Sequence, residues 1–256
     1  MMVKLRHLYT KLGVFTFHHP SEETEGNDFD RSSTLDSLQN LHKMCACEAC
    51  QRVLVRSPNL RKLGLHADYS WRDAFLCFPN LACFKCLEKL TFSINRPPLP
   101  SELTLQPGLK LPQTITRITL KGTNLKWEEL SLLQTLPSLE VLRLIRRACL
   151  GRVWNTSELE GFPQLKYLRF YELNIQEWIT SEDQFPKLEV LVIEHCSSLK
   201  RIPIAFGNLN ELREIKLQSC RKEAEKSARE IQKEQRNRKG DDDCVNLLFK
   251  FNNYFG

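Results

Sequence analysis

Seven times the chain repeats one frame: an apolar residue, two variable residues, a second apolar residue, one variable residue and a third apolar residue. It reads Leu60-Arg-Lys-Leu63-Gly-Leu65, Leu87-Glu-Lys-Leu90-Thr-Phe92, Ile115-Thr-Arg-Ile118-Thr-Leu120, Leu139-Glu-Val-Leu142-Arg-Leu144, Leu165-Lys-Tyr-Leu168-Arg-Phe170, Leu188-Glu-Val-Leu191-Val-Ile193 and Leu212-Arg-Glu-Ile215-Lys-Leu217. Successive frames begin 27, 28, 24, 26, 23 and 24 residues apart. The closing apolar-x-apolar alternation puts two side chains on one face of a short strand and the residue between them on the other. Burying three such side chains stabilises by roughly 1.5 to 3 kcal/mol each. Fixing the backbone costs about 1 to 2 kcal/mol for every residue of the repeat. No repeat folds alone, so the repeats must stack and share their apolar edges.

The spacing lies inside or close to the window of about 20 to 29 residues that marks leucine-rich repeats. It predicts an α/β fold: a curved solenoid with a parallel β-sheet on the concave face and an irregular or short-helical convex side. Pro58, Pro137, Pro163 and Pro186 each stand two residues before a frame, where a fixed φ and a missing donor suit the turn entering a strand. Leu5-Arg-His-Leu8 and Leu38-Gln-Asn-Leu41 are degenerate candidates that lack a convincing third apolar position. Leu81-Ala-Cys-Phe84-Lys-Cys86 competes with the Leu87 frame, which fits the spacing better. Cys196 and Cys220 lie three residues beyond the last apolar position, where the repeat consensus takes Asn or Cys for structural reasons.

The solenoid is expected over residues 1–220, with clear repeats from about 57. Residues 221–239 should form a polar capping helix: Glu223 to Gln235 are good helix formers with Glu-to-Lys or Glu-to-Arg pairs at helical spacing. The tail 240–256, with Val245-Asn-Leu-Leu-Phe-Lys-Phe, carries no repeat frame and has no assignment. At the other end Val3-Lys-Leu-Arg-His-Leu already reads as repeat sequence, so its first stacked edge calls for further protein. The chain is expected to be the C-terminal part of a longer architecture.

The net charge of +6 is concentrated in Arg221 to Lys239, with eight basic and four acidic residues. The remaining excess is mild and points to no nucleic-acid partner. No apolar run approaches the roughly 18 residues of a membrane span, and the N-terminus lacks a signal-peptide core. A protein without a transmembrane segment, cytoplasmic or peripheral at membranes, is expected, with Asn155-Thr-Ser unmodified. Ten cysteines include Cys45, Cys47, Cys50, Cys83 and Cys86. The two Cys-x-x-Cys pairs are 32 residues apart, beyond the usual gap of about 15 to 20 for zinc. Reduced structural thiols are favoured over a metal site or a disulfide, and no metal is expected. His18-His19 falls in a loop, and His195 beside Cys196 lacks an orienting third group for nucleophilic catalysis. The chain reads as a binding protein and not an enzyme.

Binding belongs to the variable frame positions, which point away from the core. Lys62, Lys89 and Arg117 form one basic file, continued diagonally by Arg143 and Arg169, with Lys121, Tyr167 and Tyr171 beside it. These eight residues are the candidate partner-binding set on the concave face. A basic ridge with aromatics recruits an acidic protein patch. The plainer alternative is that Lys and Arg keep an exposed sheet soluble.

Ser57-Pro-Asn-Leu-Arg-Lys-Leu-Gly, Phe185-Pro-Lys-Leu-Glu-Val-Leu-Val-Ile-Glu-His-Cys and Ser198-Leu-Lys-Arg-Ile-Pro-Ile-Ala-Phe-Gly-Asn-Leu-Asn-Glu-Leu closely resemble plant intracellular immune receptors. The branch is the late-blight-resistance-like coiled-coil, nucleotide-binding, leucine-rich-repeat proteins, at their C-terminal repeats. Ser227-Ala-Arg-Glu-Ile-Gln-Lys-Glu-Gln is similar to that branch's closing helix, so the resemblance covers roughly residues 1 to 239. It implies a recognition and autoinhibitory module that holds a nucleotide-binding domain closed and responds to a pathogen effector or a guarded host protein. The chain has no Gly-x-x-x-x-Gly-Lys-Ser/Thr loop to cradle a phosphate and no Met-His-Asp motif before the repeats. ATP or ADP is therefore implied only for the missing nucleotide-binding domain of the full receptor, and no cofactor for this chain. The competing class is the substrate-recognition repeat protein of a ubiquitin ligase, for which no F-box-like segment precedes Leu35.

Overall fold

The computed structural model describes residues 5–9, 34–45, 54–67, 81–95, 109–157, 160–240 and 244–250. In chain order the strands are β1 (His7–Tyr9), β2 (Asn40–Cys45), β3 (Lys62–Ala67), β4 (Lys89–Ile94), β5 (Arg117–Lys121), β6 (Leu125–Lys126) and β7 (Val141–Ile145). They continue with β8 (Cys149–Leu150), β9 (Val153–Asn155), β10 (Tyr167–Tyr171), β11 (Glu177–Ile179), β12 (Val190–Glu194), β13 (Glu214–Gln218) and β14 (Asn246–Lys250). Helix α1 is Ser131–Gln134 and α2 is Lys222–Lys239. Ten strands make one sheet in the order β1-β2-β3-β4-β5-β7-β10-β12-β13-β14. Every neighbouring pair is parallel. Each of the seven frames thus delivers one strand, and space follows sequence.

The frame explains the pairing. All three apolar positions of every frame are buried, and a slip of one residue would turn each strand's apolar set to the wrong face. The ladder begins one residue before each strand, where two successive N–H groups share a carbonyl of the preceding repeat. Glu88 and Lys89 donate to Arg61 at 2.9 and 3.0 Å, and Arg213 and Glu214 to Glu189 at 2.9 and 3.1 Å. Prolines set the entry turns as expected. The N–H groups of Leu60, Leu139, Leu165 and Leu188 bond back to Ser57, Leu136, Phe162 and Phe185, which places Pro58, Pro137, Pro163 and Pro186 at the second turn position that proline favours. At the far end the chain leaves the sheet through a left-handed residue: Gly122, Arg146, Glu172, His195 and Ser219 have φ of 66, 46, 53, 54 and 51°. Glycine is needed at the first of these, because a Cβ on Gly122 would lie 2.3 Å from the Ile94 carbonyl oxygen.

Behind the sheet lie 3-10 turns at Leu81–Cys83, Trp127–Leu130, Glu182–Gln184 and Ile204–Asn208. Two short parallel pairs, β6 with β8 and β9 with β11, lie there too. Under β3 to β5 the core is aliphatic apart from Phe92 and Phe84. Further along it becomes an aromatic ladder. Trp127 stacks on Trp154 at 5.0 Å, Trp154 on Trp178 at 5.2 Å, and Phe206 meets Trp178 edge-on at 4.9 Å.

Both degenerate segments supply strands, β1 and β2, and the Leu87 frame carries β4 while Leu81 sits in a 3-10 turn. Helix α2 buries Ala224, Ser227, Ala228 and Ile231. Its Ser227 hydroxyl accepts from the Ile202 N–H, and Gln235 Nε2 donates to the Leu209 carbonyl at 3.0 Å. The tail departs from expectation. Residues 246–250, which had no assignment, form β14, paired in parallel with β13, and α2 stands between these two strands in sequence. The tether is Gln235, whose Oε1 accepts from the Val245 N–H at 2.9 Å.

Candidate functional site

In-register pairing converts the variable frame positions into continuous files across the sheet. One file runs His7, Asn40, Lys62, Lys89, Arg117, Val141, Tyr167, Val190, Glu214, Asn246. The next runs Gly64, Thr91, Thr119, Arg143, Arg169, Val192, Lys216, Leu248, and a third His66, Ser93, Lys121, Ile145, Tyr171, Glu194, Gln218, Lys250. The apolar alternation commits the opposite face to the core. All eight candidate residues therefore share the open face. Lys62 and Arg117 are exposed, and Lys89, Lys121, Arg143, Tyr167, Arg169 and Tyr171 are half-buried.

The face divides electrostatically. From β3 to β7 its three files carry Lys62, Lys89, Arg117, Lys121 and Arg143 and not one Asp or Glu. Among the described residues none of these five forms an ion pair. Burial, followed by the charges of Arg143, Lys62 and Arg117, holds Lys89 below the ordinary lysine range. Burial, followed by Lys89, Lys62 and His7, likewise lowers His42. Arg143 lays its guanidinium over the Tyr167 ring at 5.3 Å, a cation–π arrangement, while its buried Nε has no hydrogen-bond acceptor.

From β10 to β13 the cations of the face, Arg169 and Lys216, have acidic partners. Arg169 Nε donates to Glu194 Oε2 at 2.7 Å, and Lys216 Nζ lies 2.9 Å from Glu214 Oε1. Tyr171 is flanked by Arg169 at 5.4 Å and Arg146 at 5.8 Å, and Arg146 in turn pairs with Glu172 at 3.1 Å. The structure thus brings Lys62, Lys89, Arg117 and Arg143 into one uncompensated cluster, and ties Arg169 to an acid that counting cations along the frame passed over. Glu194 stands on the neighbouring strand, one file over from Arg169, a placement the frame shows without showing that the two side chains meet.

The thiols behave as packing groups. Burial pushes Cys196 up to about 12 and raises Cys220 as well. Cys196 donates weakly to the Glu194 carbonyl at 3.4 Å, and the adjacent His195 turns to the edge of Tyr171. Cys47, Cys50, His18 and His19 lie outside the described residues. Among the described residues no helix is long and apolar enough to cross a membrane.

One parallel strand per leucine-framed repeat, with a core on one side and in-register variable files on the other, defines the class as a repeat protein built on a parallel sheet. No family model matches the chain. Three late blight resistance protein homologs of Solanum demissum are similar to it. One is 32% identical over 243 residues, covering 91% of this chain and 29% of its own length. A second is 30% identical over 244 residues, with 91% and 17% covered, and a third 31% over 243 residues, with 91% and 16%. The chain is thereby a relative of a region of these plant disease resistance proteins, and it spans less than a third of their length.

Proposed function

We propose that this chain is the protein-recognition and autoinhibitory leucine-rich-repeat module of an intracellular plant immune receptor of the late-blight-resistance-like branch. In this reading the ten parallel strands line the concave face of a curved solenoid spanning residues 1–220. Helix 221–239 follows its last clear repeat, and β14 (Asn246–Lys250) adds one further strand. The face contacts the nucleotide-binding domain of a parent receptor in the resting state, and a pathogen effector or a guarded host protein competes for it. Lys62, Lys89, Arg117, Lys121, Arg143, Tyr167, Arg169 and Tyr171 are its contact residues.

The observation that carries this reading is the open face itself. Its files are aligned strand by strand, rich in Lys, Arg and Tyr, and joined to a sequence related over 91% of its length to disease resistance proteins. Arg and Tyr are the residues on which binding energy concentrates in protein interfaces, and a cationic face steers an acidic partner into register. The work asked of the chain is association, which needs surface and not a reaction pocket.

The test is direct association with the nucleotide-binding region of one of the Solanum demissum homologs, followed by calorimetry. A saturable complex of micromolar or tighter affinity supports the reading. Its weakening by at least about tenfold, roughly 1.4 kcal/mol, in the double variant Arg143→Glu with Arg117→Glu supports the face. No association at accessible concentrations, or unchanged affinity in the folded double variant, removes the autoinhibitory role.

A further inference from the structure

We propose, resting on the recognition reading above, that Lys62, Lys89, Arg117 and Arg143 form a linear subsite for an acidic protein segment lying across strands β3 to β7 and supplying two or more carboxylates. Elsewhere on and beside the sheet several cations are paired with acids. In the row just before the strands Arg61 meets Glu88 at 2.6 Å and Lys166 meets Glu140 at 2.9 Å, and on the open face Arg169 and Lys216 hold Glu194 and Glu214. Over β3 to β7 the face carries five cations, four of them in one row with Lys121 one file beyond, and among the described residues none has a carboxylate. Like charges crowded on one surface raise its energy in the free protein, and an anion arriving there relieves them all at once.

Arg143 supplies an independent observation. Its Nε is buried without an acceptor, and a charged donor withdrawn from water without a partner is costly. A carboxylate that reaches it regains a charge-assisted bond. The Tyr167 ring at 5.3 Å fixes the guanidinium plane, so the donor is already oriented.

The arrangement favours an extended segment over a compact polyphosphate. Lys62, Lys89 and Arg117 occupy one file, with strands about 4.8 Å apart, and Arg143 is displaced by one file on the next strand. They form a row, whereas a compact polyanion is held by cations converging around a point. Alternate residues of an extended peptide recur at roughly 6.5 to 7 Å, within the sweep of Lys and Arg side chains on consecutive strands. Thr91 and Thr119 lie between the cations and offer hydroxyls to its backbone.

The experiment is fluorescence anisotropy of the full chain with a labelled peptide of alternating Glu and Ser, a Gln–Ser peptide as control, and inositol hexakisphosphate as competitor. The Glu peptide should bind with an affinity that falls as salt rises. It should weaken about tenfold in Lys89→Gln and in Arg117→Gln, two partly or fully exposed positions that fold independently of each other's fate. Lys216→Gln, on the ion-paired half, should change it less than twofold. Equal binding of the Gln peptide, equal loss in Lys216→Gln, or binding of inositol hexakisphosphate alone overturns the proposal. Persistent association with the nucleotide-binding region when the Glu peptide fails to bind discards this inference and leaves the recognition reading standing. Peptide binding without that association discards the autoinhibitory role and keeps the subsite.

Discussion

Strands β3 to β7 and strands β10 to β14 are built by one rule and differ in what they do with charge. In both, the register is unbroken and the apolar frame is buried, except in the edge strand β14. The first half leaves Lys62, Lys89, Arg117 and Arg143 without counter-charges among the described residues, over a core that under β3 to β5 is aliphatic apart from Phe84 and Phe92. The second pairs Arg169 with Glu194 and Lys216 with Glu214, over stacked Trp and Phe rings. The first half holds free electrostatic capacity, and the second ties Arg169 and Lys216 into its own cohesion.

The sharpest way to break that comparison is in the core. Trp154 is 1% exposed and touches Trp127, Trp178, Phe162, Phe170 and Phe185. Trp154→Ala should lose about 3 to 5 kcal/mol in urea unfolding followed by circular dichroism. Leu90→Ala, 3% exposed beneath the cationic half, should cost toward the lower end of about 2 to 5 kcal/mol. If Leu90→Ala costs more than Trp154→Ala, the ladder is not what anchors the second half.

Charge variants come next. Arg169 and Glu194 are only 31% and 21% exposed in their side chains, so their pair is shielded more than an ordinary surface bridge. Arg169→Glu replaces attraction by repulsion and should destabilise by roughly 1 to 2 kcal/mol. Lys89→Gln removes a cation from a cluster of cations and should leave stability within about 0.5 kcal/mol of wild type or slightly above it. Thermal unfolding of the two variants side by side reads the sign; a destabilised Lys89→Gln would mean that Lys89 has a partner the cluster does not reveal.

Much of the fold was legible because the apolar alternation is itself the mechanism of assembly. The seven frames fixed strand positions and files, and the four prolines fixed the entry turns. The strand in the tail was obscured by one substitution. Cys244-Val-Asn-Leu247-Leu-Phe249 is the frame with Cys in its first apolar position, and its second and third positions pair with Ile215 and Leu217. As an edge strand it buries its side chains from one side only, so Leu247 and Phe249 stay half-buried and the sequence is less strictly apolar. The faces of the site were legible for the same reason as the fold. The ion pairing was not, because whether Glu194 reaches Arg169 depends on side-chain direction across two files, which no one-dimensional pattern encodes.

Acid should act on the cationic side of the sheet through His42, on β2 next to β3. Its folded pKa is held below the ordinary 6.5, first by burial and then by Lys89, Lys62 and His7. The unfolded chain then binds the proton more readily, so stability rises with pH through this range and is lost as pH falls below about 6.5. His42→Gln should flatten that decline in melts between pH 5 and 7. A decline equally steep in the variant would assign it to other groups.

The smallest expected effect turns one half into the other. Glu194→Gln keeps the shape at that position but releases Arg169 as a net cation beside Arg143, its neighbour in the same file. A single added charge near a binding row contributes a few tenths of a kcal/mol to about 1 kcal/mol, so the Glu–Ser peptide should bind about twofold to fivefold tighter, with a steeper salt dependence. The extra affinity should vanish when Arg169→Gln is added. If Glu194→Gln leaves binding unchanged, the subsite ends at Arg143 and the division of the face is set by position as well as by charge.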